Sequence, residues 1–329
     1  MKSFIVGVAA ALMSTAAMGM EFKPAVIFDM GGKFDKSFNE GVWNGVQKFM
    51  KETGVDVMEF EVTNEAQREQ AMRRMVSRGA TVILGVGFAQ ADAIDAVAKD
   101  NPKVQFAIID VSWLDRPNLR QYAFREDQGS YLVGVAAAKA SKTGRVGFVG
   151  GMDIPLIRKF ACGYVQGATA AGATEVLQNM TGTTPSAWND PTKGAELARA
   201  QMDRGADVVY HAAGGTGLGV IRAVADAGKL AIGVDSNQNG IAPGSVLTSM
   251  LKRVDVAAYQ TFKDAKDGKF TPGVLILGIA ENGIDWAVDD NNKPLLNAEI
   301  MSSVEAAKAG ILSGQIKVHN YETDKNCPF

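Results

Sequence analysis

The chain has 329 residues, enough for two ordinary domains, and its 47% hydrophobic and 21% charged residues exclude a disordered or low-complexity polymer. A net charge of −2 leaves no positive field to hold nucleic acid or an anionic membrane. Two His and two Cys exclude a structural zinc site, a disulfide scaffold and any mechanism that needs several histidines.

The chain opens with Lys2, a short apolar run from Phe4 to Met13, and mostly small residues from Ser14 to Gly19. Ala17 and Gly19 suit the −3 and −1 positions of a signal-peptidase site, so residues 1–19 read as a signal peptide and Met20 as the mature start. The run is shorter than the ~20 residues a spanning helix needs, and no later stretch could span either. No Cys follows the cleavage site, so no acyl anchor is expected there and the mature protein should be soluble in a periplasm.

Strands and helices then alternate. Ala25–Asp29 is a continuous apolar run, the pattern of a parallel strand buried on both faces. A Gly-rich loop (MGGKFD) leads into a helix from Ser37 to Thr53. Val55–Val62 reads as a strand, and Asn64–Arg78 as a helix with Glu65, Arg68 and Glu69 on its wet side. Ala80–Val86 is a strand, Ala91–Asp100 a helix and Gln105–Asp110 a strand. This order predicts an α/β protein with a parallel sheet covered by helices.

The pattern recurs. Phe38-x-x-Gly41-x-x-x-Gly45 returns as Phe160-x-x-Gly163-x-x-x-Gly167, Arg78-Gly79-Ala80 as Arg204-Gly205-Ala206, and Asp110 ending FAIID as Asp235 ending AIGVD. The offsets of 122, 126 and 125 residues point to an internal duplication of a βα unit and hence two similar lobes. Gln121–Ser130, Met250–Arg253 and Gly273–Gly278 read as three crossovers. They place residues 20–125 plus about 253–272 in an N-terminal lobe, and 126–252 plus about 273–329 in a C-terminal one. Open α/β sheets bind ligands at the carboxyl ends of their strands, so a small polar ligand is expected between the lobes.

Within DMGGKFDKSFN, Asp35 or Ser37 can cap the following helix. Phe38 can pack or stack on a flat ligand, and Asn39 can bond that ligand's edge. Asp190 and Pro191 start the helix Thr192–Arg204 as N-cap and N1, while Trp188 is either a hydrophobic staple or a cleft wall. AAGGTGLG after the strand Val208–His211 fails the dinucleotide pattern, because Val220 stands where its last Gly belongs, so no nicotinamide cofactor is expected. His211 reads as a packed histidine. No nucleophile elbow, HExxH or phosphate-loop lysine occurs. Cys162 and Cys327 are either bonded to each other, which an exported protein permits, or free with Cys162 buried.

In order along the chain, DMGGKFDKSFNEG, FAIID, GFVGG, WNDPTKG, HAAGGTGLG and GVDSNQ resemble the basic membrane protein family, substrate-binding proteins of ABC transporters similar to the purine nucleoside receptor lipoproteins of spirochaetes. The resemblance covers nearly all of the mature chain. It implies a type I periplasmic-binding fold with two lobes and three crossovers, a nucleoside ligand, an ABC permease as partner, a monomer, and no catalytic residue, cofactor or metal. Position by position, it implies that Phe38 and Trp188 stack on the base. Asn39 and Asp110 would bond the base edge, and Asp29, Asp235, Lys252 and the Gly214 backbone would hold the ribose. Trp188 replaces the Phe usual in relatives, and their lipobox Cys is missing. A sugar-binding protein of the same fold, a nucleoside-processing enzyme and an exported sensor partner are the competing functions.

Overall fold

In the computed structural model, which describes residues 21–329, the first half of the chain runs β1 (Pro24–Phe28), α1 (Phe38–Thr53), β2 (Met58–Glu61), α2 (Gln67–Ser77), β3 (Val82–Gly85), α3 (Ala91–Asp100), β4 (Gln105–Ile109) and β5 (Leu119–Phe124). The second half repeats the scheme: α4 (Glu126–Ala140), β6 (Arg145–Met152), α5 (Pro155–Ala170), β7 (Glu175–Gly182), α6 (Pro191–Asp203), β8 (Val208–Ala212), α7 (Gly217–Asp226), β9 (Leu230–Asp235) and β10 (Val246–Lys252). The chain closes with α8 (Val254–Lys266), β11 (Gly273–Leu277), β12 (Ile284–Trp286), α9 (Ala298–Leu312) and α10 (Tyr321–Asp324). The expected leader lies outside the described residues. No described helix is long and apolar enough to cross a membrane.

The two sheets have the same strand order. One runs β11-β5-β4-β3-β1-β2 and the other β12-β10-β9-β8-β6-β7. Their internal pairings are parallel; only β12 on β10 is antiparallel. Burial on both faces explains the unbroken apolar runs. Along β1, Val26 and Phe28 pack in one core cluster with Val42 and Val46 of α1, while Ala25 and Ile27 pack in another with Met72 of α2 and Ile94 of α3. Each Val, Ile, Phe or Met side chain so removed from water stabilises the fold by ~1.5–3 kcal/mol.

The duplicated glycines have one job in both lobes. A Cβ on Gly45 would lie 2.0 Å from the backbone oxygen of Asp255, and one on Gly167 would lie 2.0 Å from that of Tyr131. Gly163 meets the Asp127 oxygen at 2.3 Å in the same sense. So α1 presses its backbone on α8, and α5 on α4, at a distance only glycine allows.

Two boundaries differ from expectation. Gly273–Leu277 is no crossover: it forms β11, in register from Gly273 against Arg120 to Leu277 against Phe124, so this stretch belongs with the first sheet. The apolar, β-branched run satisfies the free edge of β5, and the chain returns to the second sheet only after it. Gln121–Ser130 likewise contracts to Arg125, because β5 runs to Phe124 and α4 starts at Glu126. The second crossover is Arg253, between β10 and α8.

Candidate functional site

The strand ends of both sheets line one cleft that encloses, with its mouth, about 640 Å³. Asp29, Phe38, Asn39 and Asp110 line it from the first lobe, and Trp188, Gly214, Asp235 and Lys252 from the second. All eight residues singled out in the sequence therefore meet in one place.

Asp29 follows β1, and its Oδ1 sits 3.3 Å from Arg68 Nη2. Burial raises the Asp29 pKa, with Arg68 pulling the other way. Arg68, expected on the wet side of α2, is only 9% exposed. It lies beneath the cleft because a buried carboxylate needs a countercharge more than this guanidinium needs water.

The loop after Asp29 turns around Asp35. Its carboxylate accepts from the backbone N–H of Ser37 at 2.8 Å, Asn39 at 3.0 Å and Glu40 at 3.1 Å, so Asp35, not Ser37, caps α1. Asn39 donates through Nδ2 to Asp35 Oδ2 at 3.0 Å and accepts at Oδ1 from the Asp29 N–H at 3.3 Å. These two bonds fix the amide, so it cannot flip to serve two kinds of base; one N–H and one lone pair remain for a ligand. Asp35 itself also lines the cleft.

Asp110 and Asp235, the matched strand-end acids, both have left-handed backbones, φ 67° and φ 62°. Such strain collects where a side chain must be aimed. Lys252 Nζ lies 2.6 Å from Asp110 Oδ1 and 2.9 Å from Glu126 Oε1. Both carboxylates thus pair with the one ammonium, Asp110 through its buried Oδ1. Burial raises the Asp110 pKa against the pull of Lys252. Burial works to lower that of Lys252, yet Asp110 and Glu126 carry it upward overall. Asp235 Oδ2 accepts from Ser37 Oγ at 2.6 Å, and burial lifts its pKa to about 7.

The walls are aromatic. Lys252 Nζ is 5.2 Å from the centroids of Phe38 and Phe124 and 5.6 Å from that of Phe160. Phe38 and Phe160, the repeat-related pair, line the cleft from opposite lobes, and Leu156 and Ile157 extend the apolar side. Trp188 lies on Gly151, where a Cβ would meet its Cζ3 at 2.2 Å. Asp190 caps α6 by accepting from Lys193 N at 2.9 Å with Pro191 at its start, which leaves Trp188 as a wall of the cleft.

The lobes are tied across the cleft. Ser236 Oγ donates to Ser37 O at 2.8 Å and Gln238 Nε2 to Lys36 O at 2.9 Å. Gln238 Oε1 accepts from Val234 N and lies 2.9 Å from His211 Nε2. His211 is fully buried, as a packed histidine should be, and burial lowers its pKa to about 4. Arg68, Asp35, Leu156, Ile157 and Glu126 were missed in the sequence. Only Glu126 left a signal there: Arg125-Glu126-Asp127 and Arg253-Val254-Asp255 are matched crossovers, each with its Arg donating to its Asp.

Flat walls, acceptors at the rim and one buried cation suit the capture of a flat, hydroxylated, uncharged molecule. Residues 22–322 match the family model described as ABC transporter substrate-binding protein PnrA-like, Bmp. Over 320 residues the chain is 32% identical to the ABC transporter nucleoside-binding protein BmpA of Lactococcus lactis, covering 91% of this chain and 89% of that protein. It is 33% identical over 320 residues to a CD4+ T-cell-stimulating antigen of Listeria monocytogenes, covering 91% and 88%. The crystal structure of an ABC transporter system solute-binding protein from Aeropyrum pernix superposes with a TM-score of 0.81 at 29% identity, over 91% of this chain and 93% of that one. Two like sheets facing one cleft are thus the type I periplasmic-binding fold, and the chain belongs to the Bmp family of ABC transporter substrate-binding proteins.

Proposed function

We propose that the cleft captures one purine nucleoside and delivers it, unaltered, to an ABC permease. The observation that carries this reading is the lining of the cleft, where the aromatic walls Phe38 and Trp188 stand with the carboxylates of Asp29, Asp110 and Asp235. Phe38 and Trp188 stack on the base, while Asn39 and Asp110 bond its edge. Asp29, Asp235, Lys252 and the Gly214 backbone hold the ribose, whose hydroxyls both donate to carboxylates and accept from an ammonium. The name of the lactococcal relative supports the ligand class. Asp29, Asp35, Asp110 and Asp235 outnumber the cation Lys252 in the lining, so a nucleotide's phosphate is repelled.

The protein acts as a monomer in a periplasm after cleavage before Met20, and does not process its ligand. Calorimetric titration with a nucleoside panel and with free ribose tests the ligand. Saturable one-to-one heats with a purine nucleoside and none with ribose are expected; a ribose heat alone would make this a sugar-binding protein. Chromatography of the incubated nucleoside should show no free base, and the N-terminal mass of exported protein reads the cleavage.

A further inference from the structure

Behind the cleft runs a row of alternating buried charges. Asp110 meets Lys252, which meets Glu126 at 2.9 Å; Glu126 Oε2 meets Lys159 Nζ at 2.6 Å; and Lys159 meets Glu322 Oε2 at 2.7 Å. The side chains of Lys252, Glu126 and Lys159 are 2%, 0% and 4% exposed, and only Glu322, at 37%, reaches solvent. The row joins five separate parts of the chain: the ends of β4 and β10, the start of α4, the helix α5 and the C-terminal tail.

The tail is held by one face of α5. Residues 159, 162 and 166 follow the spacing that puts helix side chains in one line. Lys159 takes Glu322, Cys162 is disulfide-bonded to Cys327, and Gln166 exchanges hydrogen bonds with the backbone of His319 at 2.9 and 2.8 Å. The matched crossovers show that the row is an addition to the duplicated frame. Glu126 stands where the second crossover has Val254, and Lys252 where the first has Phe124. A buried carboxylate shared by two ammonium groups sets where both must sit, since moving either leaves an uncompensated charge in the interior.

We infer that Glu126 and Lys159 are positioning residues for nucleoside binding and that the disulfide-pinned tail, through Glu322, completes their alignment. This rests on the nucleoside reading of the cleft. Glu322 draws Lys159 outward and so leaves Glu126 free to hold Lys252 against Asp110. Without Glu322, Lys159 competes harder for Glu126, and the Lys252 ammonium loses its place.

Guanosine titrations of the full mature chain, from pH 5 to pH 8, test this. Glu126→Gln should weaken binding at neutral pH by at least about tenfold. The Asp110 carboxyl faces Lys252 of β10, Glu126 of α4, Lys159 of α5 and Asp235 of β9, and the Glu126 charge raises its pKa. Lys252 lowers that pKa by more than Glu126 raises it, so if Glu126 holds Lys252 in place the variant's acid limb should move to higher pH. A move to lower pH would mean that only the charge was lost, with Lys252 still in place, and counts against the inference. Unchanged affinity, or a loss with an unmoved acid limb, overturns the inference. Should Glu126→Gln fail to fold, Glu322→Gln and Cys327→Ser act at the solvent end. Each should weaken binding severalfold, the double variant no more than the stronger single, and wild-type affinity in both overturns the inference. The unsubstituted chain separates the two readings. If it binds no nucleoside, the ligand assignment falls and this inference with it; if it binds and the variants match it, this inference falls alone.

Discussion

At the ends of β4 and β9, Asp110 and Asp235 adopt the same left-handed backbone, and α1 and α5 each present a Phe to the cleft over a pair of packing glycines. Around that common frame the lobes differ. The loop from β1 to α1 brings Asp29, Asp35 and Asn39, each already bonded within its own lobe. The corresponding stretch from β6 into α5 brings Gly151, Leu156 and Ile157, and Gly151 makes room for Trp188. Positions that let two helices touch have stayed alike, because no other residue fits there. The matched loops facing the cleft have diverged, so they offer hydrogen-bonding groups in one lobe and an apolar surface in the other.

The largest effect should come from the shared frame. Gly45→Ala and Gly167→Ala each drive a Cβ to 2.0 Å from a backbone oxygen. Each should destabilise by the upper end of the ~1–3 kcal/mol of overpacking, or more, in chemical denaturation. The two losses should be alike; tolerance of one and not the other would break the equivalence of α1 on α8 with α5 on α4.

Next comes the apolar wall. Trp188→Ala should cost about 1–3 kcal/mol of nucleoside binding with little loss of fold. Gly151→Ala should act in the same direction, by pushing the indole into the ligand's space. Trp43, Trp113 and Trp286 do not line the cleft, so Trp188 alone should report binding by fluorescence. Full affinity in Trp188→Ala would assign the whole stacking role to Phe38 and the first lobe.

The hydrogen-bonding side should then choose among bases. As a carboxylate paired with Lys252, Asp110 only accepts. Guanine and hypoxanthine present an N1–H donor, whereas adenine presents a lone pair. With the Asn39 amide fixed, nothing there turns to rescue adenine. A preference of about tenfold for guanosine or inosine over adenosine is expected, the residue left by a buried mismatch after compensation. Equal affinities, or an Asp110→Asn variant that loses both alike, would show that the first lobe does not read N1.

The two parallel sheets were legible because strands buried on both faces write continuous apolar runs and because glycines and strand-end acids recur at nearly one offset, whereas the set of eight cleft residues came through the motifs shared with the family. Arg68 was not legible. Its helix reads as amphipathic with Arg68 on the polar side, and only the fold brings Asp29 beneath it. The edge strand β11 hid for the opposite reason: its residues Val274–Ile276 remain exposed, so its apolar run gives no burial pattern to match. Glu126 sits in the matched Arg125-Glu126-Asp127 stretch, but its two ammonium partners lie far off in β10 and α5, which no local pattern reveals.

The smallest effect concerns protons, and it separates Asp235 from its repeat partner Asp110. Burial among Asp35 and Asp110 holds the Asp235 pKa at about 7, against the opposing pull of Lys252 and Ser37. Its folded pKa thus lies above the ordinary 3.8, so between about pH 4 and pH 7 the folded chain holds more protons than the unfolded one. Stability from this group therefore falls as pH rises through that window, and Asp235→Asn should make the unliganded protein more stable at pH 8 than its parent. Binding runs the other way. A ribose hydroxyl that donates to the carboxylate favours its ionised form, so ligand lowers the Asp235 pKa and expels a proton. Near pH 7, about half of the molecules carry that proton, so titrations in buffers of different ionisation heat should show release of up to about half a proton per nucleoside. The Asp235 proton by itself should weaken affinity by no more than about tenfold per pH unit below 7. His211, with its pKa lowered to about 4, is neutral throughout this range and adds nothing. Proton release that persists in Asp235→Asn would move the linkage to another acid of the cleft; its loss there, with weakened binding, would place the ribose on the second lobe's strand-end acid.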